Sequence, residues 1–168
     1  MMKLILVRHG QAGPYCEDDA GRNLTHFGKI QAKQTADFLA ELTKLDSVDV
    51  IITSPYHRAK QTANIIFEKL NDVGQSPKLM VLNGITPDDD PRVGMREIDN
   101  AISPEFNEQT ESLTVIVVCH MPIVARMASM IDGLPPAFFE LAECRVFELP
   151  FISDGLAKQI THFIPNQP

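Results

Sequence analysis

Cysteine is scarce in this chain and does not occur in pairs. The 168 residues contain three cysteines, Cys16, Cys119 and Cys144. An odd number of cysteines without a CxxC spacing argues against a disulfide framework and against a zinc ribbon. This usage is typical of a protein in a reducing compartment, so we expect a cytoplasmic location.

Long apolar runs are also absent. The first apolar run covers residues 4–7, which is shorter than the roughly 7–15 apolar residues of a signal peptide. No run approaches the roughly 20 residues that a membrane-spanning helix requires. The sequence therefore gives no support for export, and we expect no membrane partner.

Basic residues are outnumbered by acidic ones. Fifteen Lys and Arg stand against 22 Asp and Glu, and the formal net charge is −7. Nucleic-acid binding needs a basic surface, so we expect no nucleic-acid partner. The length suits one domain with a sizeable core, and we expect residues 1–168 to form a single domain.

Motifs that mark several other enzyme classes are missing from the sequence. It contains no Walker A or GxGxxG sequence for nucleotides, no GxSxG and no HExxH. A zinc ion between His9 and His120 would need further ligands, and no Cys/His spacing supplies them. We therefore expect no cofactor and no resident metal.

The sequence does contain short apolar runs that predict buried strands. Several lack alternation, which is typical of strands covered on both faces. Helical patterns lie between them, so we predict an α/β fold, a three-layer α/β/α sandwich with a mostly parallel central sheet. The predicted strands are residues 3–7, 48–53, 78–82, 114–119, 145–149 and 157–163.

Three helices are predicted between these strands. The first follows the N-cap type Thr25 and continues to about residue 44. The second follows Ser54 and Pro55, a cap type and a proline suited to the first helical position. The third begins at Pro122 and ends at Gly133. Loops are predicted at residues 11–23 and 83–94.

Cationic and imidazole side chains stand near the ends of three predicted strands. Arg8 and His9 follow the first strand, Arg58 lies just after the second, and His120 follows residues 114–119. The carboxyl ends of parallel strands line one edge of a sheet, where ligands bind. Two arginines and two histidines at that edge would form a site for an anion that an imidazole attacks.

Each of these residues also has a purely structural interpretation. An isolated Arg8 or Arg58 would be a surface arginine, and a lone histidine at a strand end is more often structural. Their combination favours a site, since a cation in the first turn of a helix opposes the helix dipole unless an anion lies nearby. We expect the other histidines, His26, His57 and His162, to lie on the surface.

The motifs around these residues resemble those of the histidine phosphatase superfamily, the phosphoglycerate-mutase-like group. The family has an RHG motif after its first strand, which corresponds here to residues 8–10, and an SPxxRAxQTA segment, which corresponds to residues 54–63. It also has a histidine at the end of a late strand, which corresponds to His120. The three occur in order, and their combination is specific. Within the group, residues 22–25, 85–87 and 120–124 are most similar to bacterial phosphohistidine phosphatases.

The resemblance implies a metal-independent phosphatase in which His9 attacks phosphorus and becomes a phosphohistidine. Arg8, Arg58 and His120 would surround the phosphoryl group, with Arg22 as a further substrate-binding residue. The implied substrate is the phosphorylated histidine-containing phosphotransfer domain of a sensor kinase in a bacterial phosphorelay.

Many members of the superfamily carry a glutamate in the middle loop as general acid, and residues 82–87 contain none here. Its absence favours phosphohistidine, because imidazole leaves more readily than an alkoxide. One of the aspartates at 88–90 could replace the acid, which would suit a general phosphatase of small phosphomonoesters. A non-catalytic module that binds phosphotransfer domains is a third alternative, although all four motif residues are present.

Overall fold

A six-stranded sheet forms the middle layer of the protein in a computed structural model. The structure describes residues 1–105 and 112–168. The strands are β1 (Met2–Arg8), β2 (Val50–Thr53), β3 (Lys78–Val81), β4 (Thr114–Cys119), β5 (Cys144–Leu149) and β6 (Lys158–Phe163). Their order across the sheet is β3-β2-β4-β1-β5-β6. All six predicted strands are present, with ends within two residues of the prediction.

The first four strands are parallel, and β5 and β6 extend the sheet antiparallel. Every residue of β2 and β4 is buried, as the unbroken apolar runs predict for strands covered on both faces. The predicted mostly parallel sheet is therefore confirmed. The edge strand β3 is largely exposed.

Two helices cover each face of this sheet. The helices are α1 (His26–Leu42), α2 (His57–Asp72), α3 (Pro91–Ile102) and α4 (Ile123–Asp132). Helices α1 and α2 share one apolar cluster with alternate residues of β1, β2 and β4, and α3 and α4 share another with the remaining residues. This arrangement is the predicted three-layer α/β/α sandwich. No helix within residues 1–105 and 112–168 is long and apolar enough to cross a membrane.

The helix boundaries confirm one predicted N-cap and correct another. Thr25 caps α1, because its hydroxyl accepts a hydrogen bond from the amide of Gly28 at 3.0 Å. The predicted cap at Ser54 is wrong: α2 begins at His57, and its N-cap Tyr56 makes no side-chain cap bond. The Ser54 hydroxyl accepts the amide of Tyr56 at 3.2 Å, one residue before the helix begins.

The predicted loop at 83–94 is too long, because α3 begins at Pro91. Asp90 caps this helix by accepting the amide of Arg92 at 2.9 Å, and the proline stands in its first turn. An acidic cap followed by proline is a helix-start signal, which the surrounding acidic run obscures. Helix α4 begins just after Pro122 and ends as predicted at Gly133, whose φ of 73° is left-handed.

The register of the sheet brings three strand ends together. Arg8 pairs with Cys119 between β1 and β4, and Thr53 pairs with Val118 between β2 and β4. The residues that follow, His9, Ser54 and His120, therefore leave the sheet side by side at one edge.

Candidate active site

His9 stands at the centre of this edge with a fixed tautomer. It is 7% exposed, and its backbone amide donates to the carbonyl of Cys119 at 3.1 Å. Its ring Nδ1 lies 2.6 Å from the carbonyl oxygen of Gly10. A carbonyl only accepts, so Nδ1 carries the ring proton and Nε2 carries the free electron pair that a nucleophile needs.

The surroundings of His9 keep this imidazole neutral. Burial lowers the pKa of His9 to about 3, and the charges of Arg58, Arg8 and Arg22 also lower it, against the hydrogen bond to Gly10. A neutral ring near pH 7 is the reactive form of a nucleophilic histidine.

Gly10 of the RHG motif is required by packing. A Cβ at this position would lie 2.5 Å from the carbonyl oxygen of Gly28 in the first turn of α1. The amide of Gly10 donates to the hydroxyl of Thr62 on α2 at 3.1 Å. The glycine therefore lets both helices close on the turn that holds His9.

Arg58 contacts His9 directly. The side chain is buried in the first turn of α2, and its Nε donates to Nε2 of His9 at 3.3 Å. Its other two nitrogens face the predicted loop at 11–23: Nη1 donates to the Asp19 carbonyl at 2.7 Å, and Nη2 lies 3.3 Å from the Asp19 carboxylate. The predicted cation and the predicted nucleophile are therefore neighbours.

Asp19 joins two arginines and is a residue that the sequence analysis missed. Its Oδ1 accepts from Nη1 of Arg22 at 2.9 Å, while Oδ2 faces Arg58. Burial alone would raise the pKa of Asp19, but hydrogen bonds and charges from Arg22 and Arg58 outweigh it and lower this pKa. The carboxylate is therefore ionised. The spacing of Asp19 and Arg22, three residues apart, was the available sequence signal.

Arg22 lies near the site, but its donors are used within the loop. Its Nε and Nη2 both donate to the carbonyl of Gly13, at 3.1 and 2.6 Å, and Nη1 binds Asp19. Its charge still contributes to the low pKa of His9. Arg22 therefore acts on the site mainly by fixing the loop, and direct substrate binding by Arg22 stays a prediction.

Arg8 presents a buried donor without a partner. Its Nη1 donates to the carbonyl of Phe139 at 2.8 Å, and its guanidinium lies 5.2 Å from the centre of the Phe138 ring. Its Nε is buried and has no hydrogen-bond partner among the residues that the structure describes. A buried polar atom left unpaired in a native structure is costly and often marks a functional site.

His120 is the second unpaired group of the site. It is buried, and its ring centre lies 5.2 Å from that of His9. Its Nε2 lies 2.7 Å from the hydroxyl of Ser54, whereas Nδ1 is buried without a partner in the described ranges 1–105 and 112–168. Burial lowers the pKa of His120 to about 2, with further lowering by His9, Arg58 and Arg8, so this ring is also neutral.

The structure thus brings Arg8, His9, Arg58 and His120 together. Arg58 contacts His9 directly, the two histidine rings are neighbours, and the charges of Arg8 and Arg58 lower the pKa values of both rings. An anion bound here would meet charge-assisted donors and a free imidazole electron pair. The arrangement therefore suits phosphoryl transfer to a histidine.

The aspartates of the middle loop have other partners. Asp89 accepts both the amide and the hydroxyl of Thr86, at 2.8 and 2.6 Å, and Asp90 caps α3. Asp88 is exposed. The side chains whose charges shift the pKa of His9 are all arginines, and those that shift the pKa of His120 are arginines and His9. None of these three aspartates contributes to either shift.

Glu97 is a further carboxylate that the sequence analysis missed. It extends from α3 to Gly84 of the middle loop, and a Cβ at Gly84 would overlap the Glu97 carboxylate. Its Oε2 is buried and has no hydrogen-bond partner within the described part of the chain. The glycine at position 84 therefore makes room for an acid delivered from a helix, which a search of the loop sequence cannot find.

The remaining histidines lie on the surface, as predicted. His26, His57 and His162 are all exposed. Within residues 1–105 and 112–168, no group of three or more His, Cys, Asp and Glu side chains is placed to hold a metal ion. His9 and His120 are therefore not joined by a third ligand of these types in the described part of the chain.

Comparison with known proteins agrees with this fold. Residues 4–81 match the model of the histidine phosphatase superfamily, branch 1. A curated protein of Haemophilus influenzae, a phosphohistidine phosphatase SixA homolog, is 27% identical over 135 residues, which are 79% of this chain and 78% of that protein.

Two solved structures share the fold over nearly the whole chain. The protein histidine phosphatase SixA, complexed with tungstate, has a TM-score of 0.76 at 22% identity, covering 98% of this chain and 97% of that one. A phosphoglycerate mutase of Plasmodium falciparum has a TM-score of 0.65 at 20% identity, covering 99% and 94%. Residues 4–81 thus resemble the histidine phosphatase superfamily, and SixA proteins are among the proteins that the chain is similar to.

Proposed function

We propose that the protein is a phosphohistidine phosphatase that removes the phosphoryl group from a histidine-containing phosphotransfer domain. The similarity to the Haemophilus influenzae SixA homolog supports this substrate class. The site supplies the phosphatase chemistry through His9, Arg8, Arg58 and His120. A phosphorelay partner and a cytoplasmic location belong to the same proposal.

The reaction proceeds in two displacements at phosphorus. The electron pair on Nε2 of His9 attacks the phosphorus, and the P–N bond to the substrate histidine breaks, with its electron pair leaving on the substrate imidazole, which takes up a proton from solvent. Water then attacks the phosphorus of phospho-His9, loses its proton to solvent and returns the P–N electron pair to Nε2. Arg8, Arg58 and His120 offset the charge of the phosphoryl oxygens in both steps.

The choice of substrate depends on whether a carboxyl group can protonate the leaving group. Asp89 and Asp90 are engaged in a turn and a helix cap, and Asp19 is held ionised by two arginines. An ionised carboxylate cannot protonate a leaving alkoxide. A phosphohistidine needs less help, because imidazole is a better leaving group than an alkoxide.

The rim of the site is exposed and aromatic, which supports a substrate presented on a protein. The ring of Tyr15, 79% exposed, lies 6.0 Å from the Arg22 guanidinium. The ring of Phe138, 59% exposed, lies beside Arg8. Exposed aromatic side chains next to arginines are typical of protein-binding surfaces.

A general phosphomonoesterase is the second candidate function, and Glu97 is the observation that favours it. Its buried and unpaired Oε2 lies at the middle loop, where the superfamily resemblance leads us to expect a general acid. If this carboxyl protonates the leaving oxygen of a monoester, Glu97→Gln should impair that reaction selectively. Phosphohistidine hydrolysis should be nearly unaffected.

The test compares phosphate release from a phosphorylated histidine phosphotransfer domain with release from an alkyl phosphate monoester. We expect fast release from phosphohistidine by the wild type and by Glu97→Gln, and none by His9→Ala. If the wild type hydrolysed the monoester faster than phosphohistidine, and Glu97→Gln lost this activity, the protein would be assigned as a general phosphomonoesterase. Retained activity in His9→Ala would contradict both.

A further inference from the structure

Ser54 has four hydrogen-bonding contacts, two through its backbone and two through its hydroxyl group. Its backbone amide donates to the carbonyl of Val118 at 3.0 Å, and its carbonyl accepts from the hydroxyl of Thr53 at 3.0 Å. Its own hydroxyl lies 3.2 Å from the amide of Tyr56 and 2.7 Å from Nε2 of His120. The side chain is completely buried, so no solvent molecule competes for these contacts.

The position of each proton follows from these contacts. The amide of Tyr56 can only donate, so the Ser54 oxygen accepts this bond. The hydroxyl hydrogen is then available for Nε2 of His120, which satisfies the amide, the hydroxyl and the ring nitrogen together. If Nε2 carried the proton instead, the buried hydroxyl hydrogen would lose its partner, at a cost typical of an unsatisfied buried donor.

His120 carries one ring proton, so its position has a direct consequence. Burial and the neighbouring charges keep the ring neutral, because they lower the pKa of His120 to about 2. With Nε2 accepting from Ser54, the proton must be on Nδ1. This is the buried nitrogen without a partner, in the ring whose centre lies 5.2 Å from that of His9.

We propose that Ser54 is a positioning residue, which holds His120 in the tautomer protonated on Nδ1 and so turns this N–H into a donor for the phosphoryl group. The opposite tautomer would present an electron pair to an anion and repel it. This role gives the serine of the SPxxRA segment a task other than helix capping, and it explains why the predicted cap at Ser54 is unused. Only its effect on catalysis rests on the proposed function.

The first test measures the tautomer directly. Two-bond ¹H–¹⁵N correlation spectra show which ring nitrogen carries the proton, and only five histidines need assignment. We expect His120 to be protonated on Nδ1 in the wild type, with its signals identified by their loss in His120→Asn. In Ser54→Ala we expect a mixture of tautomers. A wild-type ring protonated on Nε2 would overturn the proposal, whatever the enzyme's substrate is.

The second test measures function against a matched control. Thr43 also carries a buried hydroxyl, but it bonds to Leu39 and Gln75 at the far end of α1. We expect Ser54→Ala to lower kcat about 10-fold, less than the roughly 10²–10³-fold loss of a whole preorganised donor. It should also weaken binding of inorganic phosphate, while Thr43→Val changes neither quantity. Equal behaviour of Ser54→Ala and Thr43→Val in kinetics and spectra would refute the proposed role.

Discussion

Nε of Arg58 donates to Nε2 of His9 at 3.3 Å, so the guanidinium occupies the electron pair that attacks phosphorus in the proposed mechanism. This contact is compatible with catalysis, because a phosphoryl oxygen is a stronger acceptor than a neutral imidazole. When an anion enters, Arg58 can transfer its hydrogen bond to the anion and release the electron pair of His9. The same contact holds Nε2 toward the phosphate position while the site is empty.

Replacement of Arg58 by lysine should therefore be severe. An ammonium group is a compact donor, and it cannot bind His9 and both Asp19 acceptors as the planar guanidinium does. We expect kcat/KM to fall by about 10²–10³-fold, as for other lost preorganised donors. Steady-state kinetics with a phosphohistidine substrate measure this, beside Lys60→Arg on the exposed face of the same helix as a control. A loss smaller than about 5-fold would contradict the assigned role.

Arg22 should behave differently from Arg58, although the sequence places both among the substrate-binding residues. Its donors bind Gly13 and Asp19 within the loop, so its loss should loosen the loop and leave the phosphoryl contacts in place. We expect Arg22→Gln to raise KM several-fold and to change kcat little, whereas Arg58→Gln should mainly lower kcat. If both variants lost kcat equally, Arg22 would be a direct ligand of the transferred group.

The low pKa values of the two histidines predict a particular dependence on pH. Burial lowers the pKa of His9 to about 3 and that of His120 to about 2. Both rings are neutral in the folded protein but take up protons in the unfolded chain below pH about 6.5. Their contribution to stability is therefore complete above pH 6.5 and decreases as the pH falls toward these lower values.

Thermal unfolding between pH 4 and 8 measures this effect. We expect Tm to fall as the pH drops below about 6.5, and to fall less steeply in His120→Asn, which cannot titrate. Activity should show no loss attributable to protonation of His9 down to about pH 5, because the pKa of His9 in the folded protein is about 3 and not the ordinary value of about 6.5. A kinetic pKa near about 6.5 that matched the NMR titration of the His9 ring would contradict the buried, neutral state.

How far the sequence predicts the site depends on where each residue stands in the sheet. Arg8 and His9 lie at the end of β1, and His120 lies at the end of β4. Parallel topology alone brings the carboxyl ends of these strands to one edge of the sheet. Ser54, Asp19 and Glu97 act through contacts between elements that are distant in the sequence. Ser54 was interpreted as a helix cap because its local pattern fits one, and only the side-chain geometry shows that its hydroxyl faces His120.

The fold was predictable for a related reason. Unbroken apolar runs mark β2 and β4 as strands that are covered on both faces. Such strands require helices on both sides of the sheet. Helix α3 was not predicted because three aspartates precede Pro91 and suggest a loop. Its buried residues nevertheless have helical spacing, and this was the available sequence signal: Gly94, Met95, Ile98 and Ile102.

The three cysteines should differ sharply in reactivity. Burial raises the pKa values of Cys119 and Cys144 to about 12, in strands at the centre of the sheet. Cys16 is exposed in the loop that also holds Asp19. Because the thiolate is the reactive form, a thiol reagent at pH 8 should modify one cysteine in the native protein and three in urea. Modification of Cys16 should also raise KM, because it would disturb the loop that holds Arg22 and Arg58. An unchanged KM would contradict this expected coupling between Cys16 and the site.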